Sequence, residues 1–540
     1  MRQIFLAALS FANLCYLRVW SELLTYRRWD TYLMATPPNP VEYYALIANV
    51  LLAAVLLTGL TMLVTRVLTG GPGEGGGGRA GRPVLRIAEM VLVAAVAIPL
   101  NAIRAVLSVQ YPVLKSGLIE TLGIRGAIVL VCLLALAGLA LVVSYHRQAA
   151  RIVVSVLLAL SPFCVVTFGQ GLYRASRYDA TEFRNKPAAA PMPARPGAPR
   201  VVWVIADEWD YRLTFMDREA SLKLPEIDRL RAASVSASEA YPPGPETPIS
   251  IPGYYDGRLV SYIDHKGPRE LVVRFHGEDH DVGMSTQTSV FDRARTVGAN
   301  TALLEWYHPT CRVLNNLTYC RWWPLAMQHN SMGESFWQVL PNQARSLGET
   351  NIFSLFGRTL TADQHTGVYH EMMAEAKKLL ADPAYGFVLV HLPVPHAPHA
   401  YDRKTGTFTL GNKPYQGYWD SLALLDLSVG ELRRAMEEAG LWDATTVLFT
   451  SDHSYRDSER LDGKTDYRIP YLLKLAGQKE GAVYDKRFNT VLTSDMLMDV
   501  MNGQVRDVAS AADWIDRNRT RPNRGEAPQA SARADGPARP

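Results

Sequence analysis

The sequence predicts an α/β protein in which a mostly parallel β-sheet, covered by helices, follows an all-α membrane domain of about five spans. The first 175 residues contain long apolar runs, whereas the remainder has the mixed composition of a soluble domain. Further along, residues 201–208 (VVWVIADE) and 446–453 (TVLFTSDH) have the pattern of buried strands. Such strand patterns alternate with helical patterns, which is typical of a parallel sheet.

Length and charge limit the architecture further. At 540 residues the chain exceeds the size at which one hydrophobic core stops growing, so two or more structural units are expected. The net charge of +4 gives no reason to expect a nucleic-acid partner. We expect a transmembrane domain over residues 1–173, a linker rich in Pro, Ala and Arg over 174–200, an α/β domain over 201–505, and a tail over 506–540 that ends in disorder.

Five apolar segments are candidate membrane spans: residues 4–24, 43–64, 87–109, 128–143 and 152–172. Arg18 interrupts the first segment, for which an interfacial helix is the alternative. An odd number of spans, with an excess of Lys and Arg near one set of span ends, predicts an amino terminus inside the cytoplasm and a large domain outside it. Outside the cytoplasm, Cys311 and Cys320 are expected to form a local disulfide.

Two predicted strands end on candidate metal ligands. Asp207 and Glu208 close the first strand, and Asp452 and His453 close the second. Ligands of open α/β sheets bind at the carboxyl ends of the strands, so these groups are expected at one sheet edge. Carboxylate oxygens with an imidazole nitrogen suit Zn²⁺ or Mn²⁺, with Ca²⁺ or Mg²⁺ as alternatives. Taken alone, adjacent acids in a surface loop are usually only solvated charge, which is the alternative interpretation.

Two further motifs carry groups suited to chemistry. Residues 241–258 (YPPGPETPISIPGYYDGR) predict a turn braced by Pro and Gly, with Thr247 where a helix would begin and favour an anion. A simple helix cap is the alternative for that threonine. Residues 391–402 (HLPVPHAPHAYD) follow a strand pattern and form a stiff loop that contains His391, His396 and His399.

From residue 201 to about residue 500, the chain resembles the sulfatase-like branch of the alkaline-phosphatase superfamily. This branch includes the membrane-bound phosphoethanolamine and phosphoglycerol transferases. The resemblance rests on IADE (205–208), ETPISIPGYYDGR (246–258), HLPVPHAPHAYD and SDHSYR (451–456). It implies an alkaline-phosphatase-like fold for the α/β domain.

The resemblance also implies roles for individual residues. The implied metal ligands are Asp207, Glu208, Thr247, Asp452 and His453. The implied functional residues are Thr247 as nucleophile, His391 and His396 as candidate general acids, and Arg258, His399 and Lys464 toward the substrate. Glu208 stands where sulfatases carry a second acidic ligand, whereas the transferases use a single acid.

Two departures from the family pattern affect the expected chemistry. Formylglycine sulfatases need Cys or Ser followed by x-Pro-x-Arg, but Thr247 is followed by PISI, so sulfate-ester hydrolysis through formylglycine is not expected. The usual Thr-Gly-Arg is replaced by Asp256-Gly257-Arg258.

By resemblance, the expected activity is transfer of a phospho-head-group from a lipid donor to a glycan or lipid acceptor of the envelope. The expected location is the inner membrane of a bacterium, with the α/β domain in the periplasm. A membrane-tethered phosphodiesterase or phosphatase is one alternative. An inactive sensor or scaffold is another.

Overall fold

The computed structural model describes residues 1–25, 30–69, 81–107, 111–193, 197–325, 335–350, 354–413 and 415–521. The chain divides into two compact units. The helical unit consists of Met1–Tyr26, Thr36–Asp179 and Gln328–Leu360, and the α/β unit consists of Arg27–Ala35, Ala180–Met327 and Thr361–Pro540. In sequence, Gln328–Leu360 of the helical unit lies between two segments of the α/β unit, and Arg27–Ala35 of the α/β unit lies between two segments of the helical unit.

The described helices that precede the sheet are α1 (Arg2–Cys15), α2 (Leu17–Leu24), α3 (Asp30–Leu33), α4 (Pro40–Thr69), α5 (Gly81–Ala95), α6 (Ala97–Val106), α7 (Tyr111–Ala159) and α8 (Ser161–Ser176). All of them except α3 belong to the helical unit. Within the described residues, three helical stretches are long and apolar enough to cross a membrane: Pro40–Arg66, Leu85–Arg104 and Cys132–Ser176. The pair α1 and α2, bent by 59°, adds a fourth if it counts as one span.

The described helices thus provide three or four candidate spans, fewer than the five that the sequence predicted. The predicted segments 128–143 and 152–172 fall largely within the single helical stretch Cys132–Ser176. The interval between them, residues 144–151 (SYHRQAAR), is polar but contains no Gly or Pro, so the helix continues through it. The number of candidate spans is odd if there are three and even if there are four, so it does not fix the side of the membrane on which the α/β unit lies, and that side stays a prediction.

The α/β unit contains these strands: β1 (Arg200–Ala206), β2 (Val235–Ala237), β3 (Ala240–Tyr241), β4 (Val260–His265), β5 (Leu271–Phe275), β6 (Val282–Gly283), β7 (Thr301–Trp306), β8 (Tyr319–Trp323), β9 (Phe387–Leu392), β10 (His399–Asp402), β11 (Thr407–Lys413), β12 (Thr445–Thr450), β13 (Tyr471–Lys474), β14 (Ala482–Tyr484) and β15 (Phe488–Asn489). The helices after β1 are α9 (Pro225–Ala232), α10 (Thr247–Asp256), α11 (Val290–Thr296), α12 (Thr310–Val313), α13 (Phe336–Thr350), α14 (Ser354–Leu380), α15 (Tyr418–Glu438), α16 (Glu459–Asp462), α17 (Thr493–Met501) and α18 (Val508–Asn518). Of these, α13 lies in the helical unit.

An eight-stranded sheet in the order β14-β2-β13-β12-β1-β9-β7-β8 forms the centre of the α/β unit. The pairs β14–β2, β12–β1, β1–β9, β9–β7 and β7–β8 are parallel, whereas β13 runs antiparallel to both of its neighbours. Alternate residues of β1 enter two separate cores, Val201 and Trp203 on one face and Val202 and Val204 on the other. Because both faces are buried, β1 is apolar throughout, and the predicted fold class is confirmed.

Several local predictions can be compared with the described residues. Cys311 and Cys320 form the predicted disulfide, with Cα atoms 5.5 Å apart. Within the predicted linker, Lys186 belongs to the α/β unit, where its backbone N–H donates to the Cys311 carbonyl. In the predicted tail, α18 buries Trp514 in the core of this unit. The end of the tail, residues 522–540, lies outside the described residues.

A buried arginine of the α/β unit binds the part of the chain that contains Tyr32 and Met34. The Arg312 guanidinium donates from Nη2 to the carbonyls of Tyr32, at 2.6 Å, and Met34, at 2.9 Å. It also stacks on the Trp322 ring, 4.8 Å from the centroid. Burial lowers the pKa of Arg312 to about 10, and its polar contacts come from a segment far away in sequence.

Candidate active site

Three buried side chains meet at the carboxyl ends of β1 and β12. Asp207 follows β1, and Asp452 and His453 follow β12, two strands that pair in parallel. One potential ligand atom from each of these side chains lies within 4.8 Å of the other two. His453 Nε2 is 3.8 Å from Asp207 Oδ1 and 3.5 Å from Asp452 Oδ2. The sheet therefore gathers two carboxylates and one imidazole at its edge.

These side chains fit a divalent cation. Asp207 Oδ1 and Asp452 Oδ2 are buried without a hydrogen-bond partner among the described atoms. The other oxygen of Asp452 accepts hydrogen bonds from the backbone N–H groups of Glu208 and His453. His453 Nδ1 is 2.9 Å from the Ser454 carbonyl, a contact that places the proton on Nδ1 and leaves the Nε2 lone pair facing the carboxylates. Oxygen and imidazole ligands together suit Zn²⁺ or Mn²⁺.

The charges of this cluster also favour a cation. Burial and the Asp207 carboxylate raise the pKa of Asp452. Burial would likewise raise the pKa of Asp207, but nearby histidines, His396 foremost, outweigh it and lower that pKa. Burial would lower the pKa of His453, yet the two carboxylates hold it above its ordinary value. Two carboxylates in one buried space repel each other unless positive charge lies between them.

Thr247 begins α10 beside this cluster. Its Oγ1 donates to Asp207 Oδ2 at 3.1 Å and lies 3.3 Å from His453 Nε2. The side chain is buried, and the ten-residue helix has Pro248 in its first turn. Proline suits this position because the first-turn N–H groups have no intrahelical partner, and the remaining N–H groups there favour an anion. The structure thus brings together the predicted nucleophile and three of the predicted metal ligands.

Glu208 lies next to Asp207 in sequence but turns away from the cluster. Its φ of 65° reverses the chain direction directly after β1. Glu208 Oε1 instead accepts from Arg456 Nε at 2.7 Å, and Arg456 Nη2 is 3.3 Å from His396 Nε2. Arg456 belongs to the SDHSYR motif, but sequence reasoning gave it no role. The expected second acidic metal ligand is therefore an ion-pair partner in this structure.

A second buried pair joins β9 to β7. His391 Nε2 is 3.3 Å from Asp207 Oδ2, and His391 Nδ1 is 2.7 Å from Glu305 Oε1. The other oxygen of Glu305 accepts from the Tyr255 hydroxyl. Burial would lower the pKa of His391, but the Glu305 and Asp207 carboxylates hold it well above its ordinary value. Glu305 was not predicted, and its only sequence signal is an acid near the end of the apolar strand β7 (TALLEW).

The remaining loop histidines differ in their surroundings. The His396 ring packs edge-on against Trp306 with centroids 4.9 Å apart and faces Arg456. His399 Nδ1 is instead 2.9 Å from Ser421 Oγ, and burial lowers the pKa of His399 to about 4. His399 is therefore neutral and contacts α15 through Ser421, whereas His396 borders the cluster, and the expected contact of His399 with substrate stays a prediction.

Arg258 and Lys464 pair with other side chains in this structure, and their expected contact with substrate stays a prediction. Arg258 donates to Asp256, Glu278 and Gln287. It follows the end of α10, and the rise of about 1.5 Å per residue places it on the order of 15 Å from Thr247. Lys464 is exposed and pairs with Asp217. The resemblance that implied a substrate role for both does not reveal which carboxylates they pair with.

The sheet topology and this cluster are those of a metal-dependent α/β enzyme, and the Thr247 hydroxyl lies beside the cluster at a helix amino terminus. Residues 199–503, more than half of the chain, match the Sulfatase family. The chain belongs to that family, and it is an enzyme of the alkaline-phosphatase superfamily that hydrolyses or transfers ester groups with a divalent metal.

Similarity to solved structures is low in sequence. The phosphonate monoester hydrolase of Agrobacterium radiobacter is 16% identical over 56% of this chain and 74% of that chain, with a TM-score of 0.37. The PsFucS1 sulfatase from Pseudoalteromonas sp. is 15% identical over 57% and 68%, with a TM-score of 0.40. An alkaline-phosphatase-superfamily protein from Vibrio parahaemolyticus is 12% identical over 58% and 68%, with a TM-score of 0.37. No curated protein matches the sequence.

Proposed function

We propose that this protein transfers phosphoethanolamine or phosphoglycerol from a membrane lipid to a glycan or lipid acceptor of the cell envelope, through a covalent intermediate on Thr247. One observation carries the proposal: Thr247 Oγ1 lies 3.1 Å from Asp207 Oδ2 and 3.3 Å from His453 Nε2 at the start of α10. A hydroxyl held beside cation ligands at an anion-favouring helix end is placed to attack phosphorus. Apolar helices long enough to cross a membrane, in the same chain, favour a lipid donor.

Asp207, Asp452 and His453 are the residues that would hold the divalent cation, with Thr247 beside them. When bound, the cation would lower the pKa of the Thr247 hydroxyl and neutralise charge on the phosphoryl group. We propose the periplasmic face of a bacterial inner membrane as the location of this chemistry, which the resemblance to membrane-bound transferases supports.

The first half-reaction forms the Thr247 Oγ–P bond and breaks the P–O bond to diacylglycerol. The departing glycerol oxygen needs a proton, and His391 is the candidate general acid because its Nε2 and Thr247 Oγ1 both lie near Asp207 Oδ2, at 3.3 and 3.1 Å. In the balance of this step, diacylglycerol gains the proton of His391, and the Thr247 hydroxyl gives its proton to Asp207 Oδ2, which accepts its hydrogen bond. His396 and Arg456, which face each other at the rim of the cluster, are placed to meet the anionic phosphoryl oxygens.

The second half-reaction reverses these roles. An acceptor hydroxyl attacks phosphorus, the new O–P bond forms, and the Thr247 Oγ–P bond breaks. His391 takes the proton of the acceptor, and Thr247 recovers its own. If water replaces the acceptor, the same residues make a phosphodiesterase, and only the products distinguish the two reactions.

The test uses the full-length protein in nanodiscs that contain phosphatidylethanolamine with an isotope-labelled head group. Peptide mass spectrometry is expected to find the labelled phospho-head-group on Thr247. Thr247→Ala should lose activity by several powers of ten, because the two-step path needs the hydroxyl.

Ser250 supplies a matched control within the same helix. Its hydroxyl donates to the Gly244 carbonyl at 3.0 Å and has no contact with the cluster among the described hydrogen bonds. Ser250→Ala should therefore remain active. Modification of Ser250, or a fully active Thr247→Ala, would contradict the proposal. Release of free phosphoethanolamine in the presence of a hydroxyl acceptor would identify a hydrolase instead.

A further inference from the structure

The helix α13 belongs to the helical unit although its sequence lies between two segments of the α/β unit. The least exposed side chains of α13 recur every three or four residues and so lie on one face of the helix. Val339 and Gln343 are buried, and Leu340 and Leu347 are half-buried. Leu347 packs against a hydrophobic cluster of the helical unit that includes three residues of α4: Tyr43, Leu46 and Val50. One stripe of α13 therefore lies against α4, as the 3.6-residue period of a helix requires.

Polar contacts fix α13 at one level of α4. Asn49 Nδ2 donates to the Leu340 carbonyl at 2.9 Å and to Gln343 Oε1 at 3.3 Å. Gln343 Nε2 donates to the Glu42 carbonyl at 2.9 Å. An amide inside an apolar helix needs such partners where water is scarce, so these bonds place α13 beside the part of α4 between Glu42 and Asn49.

That part of α4 coincides with the expected boundary of a bilayer. The exposed apolar side chains of α4 lie mainly from Leu51 to Leu63, as a lipid-facing surface requires. A hydrocarbon core of about 30 Å needs about 20 helical residues, and counting back that far from Arg66 reaches the neighbourhood of Ile47. The contacts of α13 therefore fall where hydrocarbon gives way to head groups.

The outer face of α13 suits a head-group layer. Trp337 is 77% exposed, which is more than any other large apolar side chain of the described residues except Met1. Tryptophan is enriched at membrane interfaces, where its ring meets lipid and its N–H meets polar groups. Pro341 has no N–H for the Trp337 carbonyl four residues earlier, so this carbonyl needs a donor from water or head groups. Hydrocarbon supplies no such donor.

We propose that α13 is an interfacial helix, and that Trp337 and its outer face bind the head-group layer of a phospholipid bilayer. The partner is the lipid surface itself, because α13 packs on α4 directly beside the stretch of α4 that exposes apolar side chains. The inference does not depend on the proposed reaction. It assigns a membrane contact to a segment encoded within the sequence of the α/β unit.

The test places the photoreactive amino acid benzoylphenylalanine at position 337 of the full-length protein in phospholipid nanodiscs. Irradiation and peptide mass spectrometry are expected to find a phospholipid adduct on the peptide that contains position 337. The matched control is position 483, where Val483 is an exposed apolar side chain of the α/β unit, 71% exposed, and little adduct is expected there. Position 344, one heptad from 337 on the exposed face, is a second site if the first variant expresses poorly.

Lipid adducts at 337 or 344 that exceed those at 483 by about tenfold would support an interfacial helix. Equal yields at all three positions would overturn it. Predominant cross-links from 337 to protein would also overturn it, because they would identify a second protein, or a second copy of this chain, as the partner of this face.

Discussion

Replacing Glu305 by Gln tests whether the buried pair beside the metal ligands positions His391 for proton transfer. The substitution preserves shape and one accepting oxygen but removes the charge that faces His391 Nδ1 at 2.7 Å. A hydrogen bond to a charged group contributes about 1.5–3 kcal/mol, which corresponds to roughly a 10- to 100-fold loss in kcat/KM. We expect a loss in this range with a nearly unchanged KM for a soluble nitrophenyl phosphodiester.

The pH profile separates this role from a structural one. Removing the Glu305 carboxylate lowers the pKa of His391. His391 then loses the proton that it needs as a general acid at a lower pH than in the wild type. The basic limb of the activity profile should therefore move toward lower pH. Burial raises the pKa of Glu305 despite the opposing charge of His391, so its ionised form carries a cost that grows with pH and that Gln removes. Gln also leaves the buried His391 without its charged partner, an opposing loss, so the variant should unfold at nearly the wild-type temperature.

Tyr255→Phe is the matched control, because it removes the other partner of Glu305 while keeping the carboxylate beside His391. Its kcat/KM should fall less than about tenfold, since only a hydrogen bond to a neighbouring group is lost. An unchanged pH profile and a kcat/KM within twofold of wild type in Glu305→Gln would refute the reasoning. Equal damage in both variants would assign the effect to packing.

Other predictions follow from the same geometry and from the helices. Asp452→Asn should lower the bound Zn²⁺ or Mn²⁺ to background in elemental analysis while the far-ultraviolet circular dichroism remains, since Asp452 lies at a sheet edge; full metal content would remove it from the site. Thr247→Ser should retain part of the activity, because it keeps the hydroxyl and loses only a methyl group, and complete inactivity would indicate that the methyl group positions the nucleophile. An alkaline phosphatase fusion after Arg521, beyond the packed helix α18, should be active in the periplasm, whereas activity of a cytoplasmic reporter alone would reverse the proposed topology.

The parts of the site that local sequence determines could be predicted. A buried parallel strand is a short apolar run, and the residue after it lies at the sheet edge, so Asp207 and Asp452 could be located from pattern alone. Glu305 could not, because its importance comes from His391 on the neighbouring strand β9, and strand order is a long-range property. Arg258 shows the same limit for a motif residue. Its position in the motif did not reveal that its guanidinium donates to Glu278 and Gln287.

The helical unit shows the same limit. Apolar runs identified the membrane-compatible helices, but composition could not show that residues 144–151 continue a helix rather than form a turn. The partnership of α13 with α4 was also invisible in the sequence, because nearly 300 residues separate Asn49 from Gln343. Local chemistry thus predicts elements and strand ends, whereas contacts between distant segments require the fold.

The buried Arg312 has a practical consequence for anyone who wishes to prepare the catalytic domain without its membrane helices. A fragment that begins after residue 180 lacks Tyr32 and Met34, whose carbonyls accept from this guanidinium. Leaving a buried charge without partners costs about 3–5 kcal/mol, a large part of the stability of a typical domain. A water-soluble version should therefore retain residues 27–35 as a fused or added peptide, or replace Arg312 with an uncharged side chain that fills the same space beside Trp322.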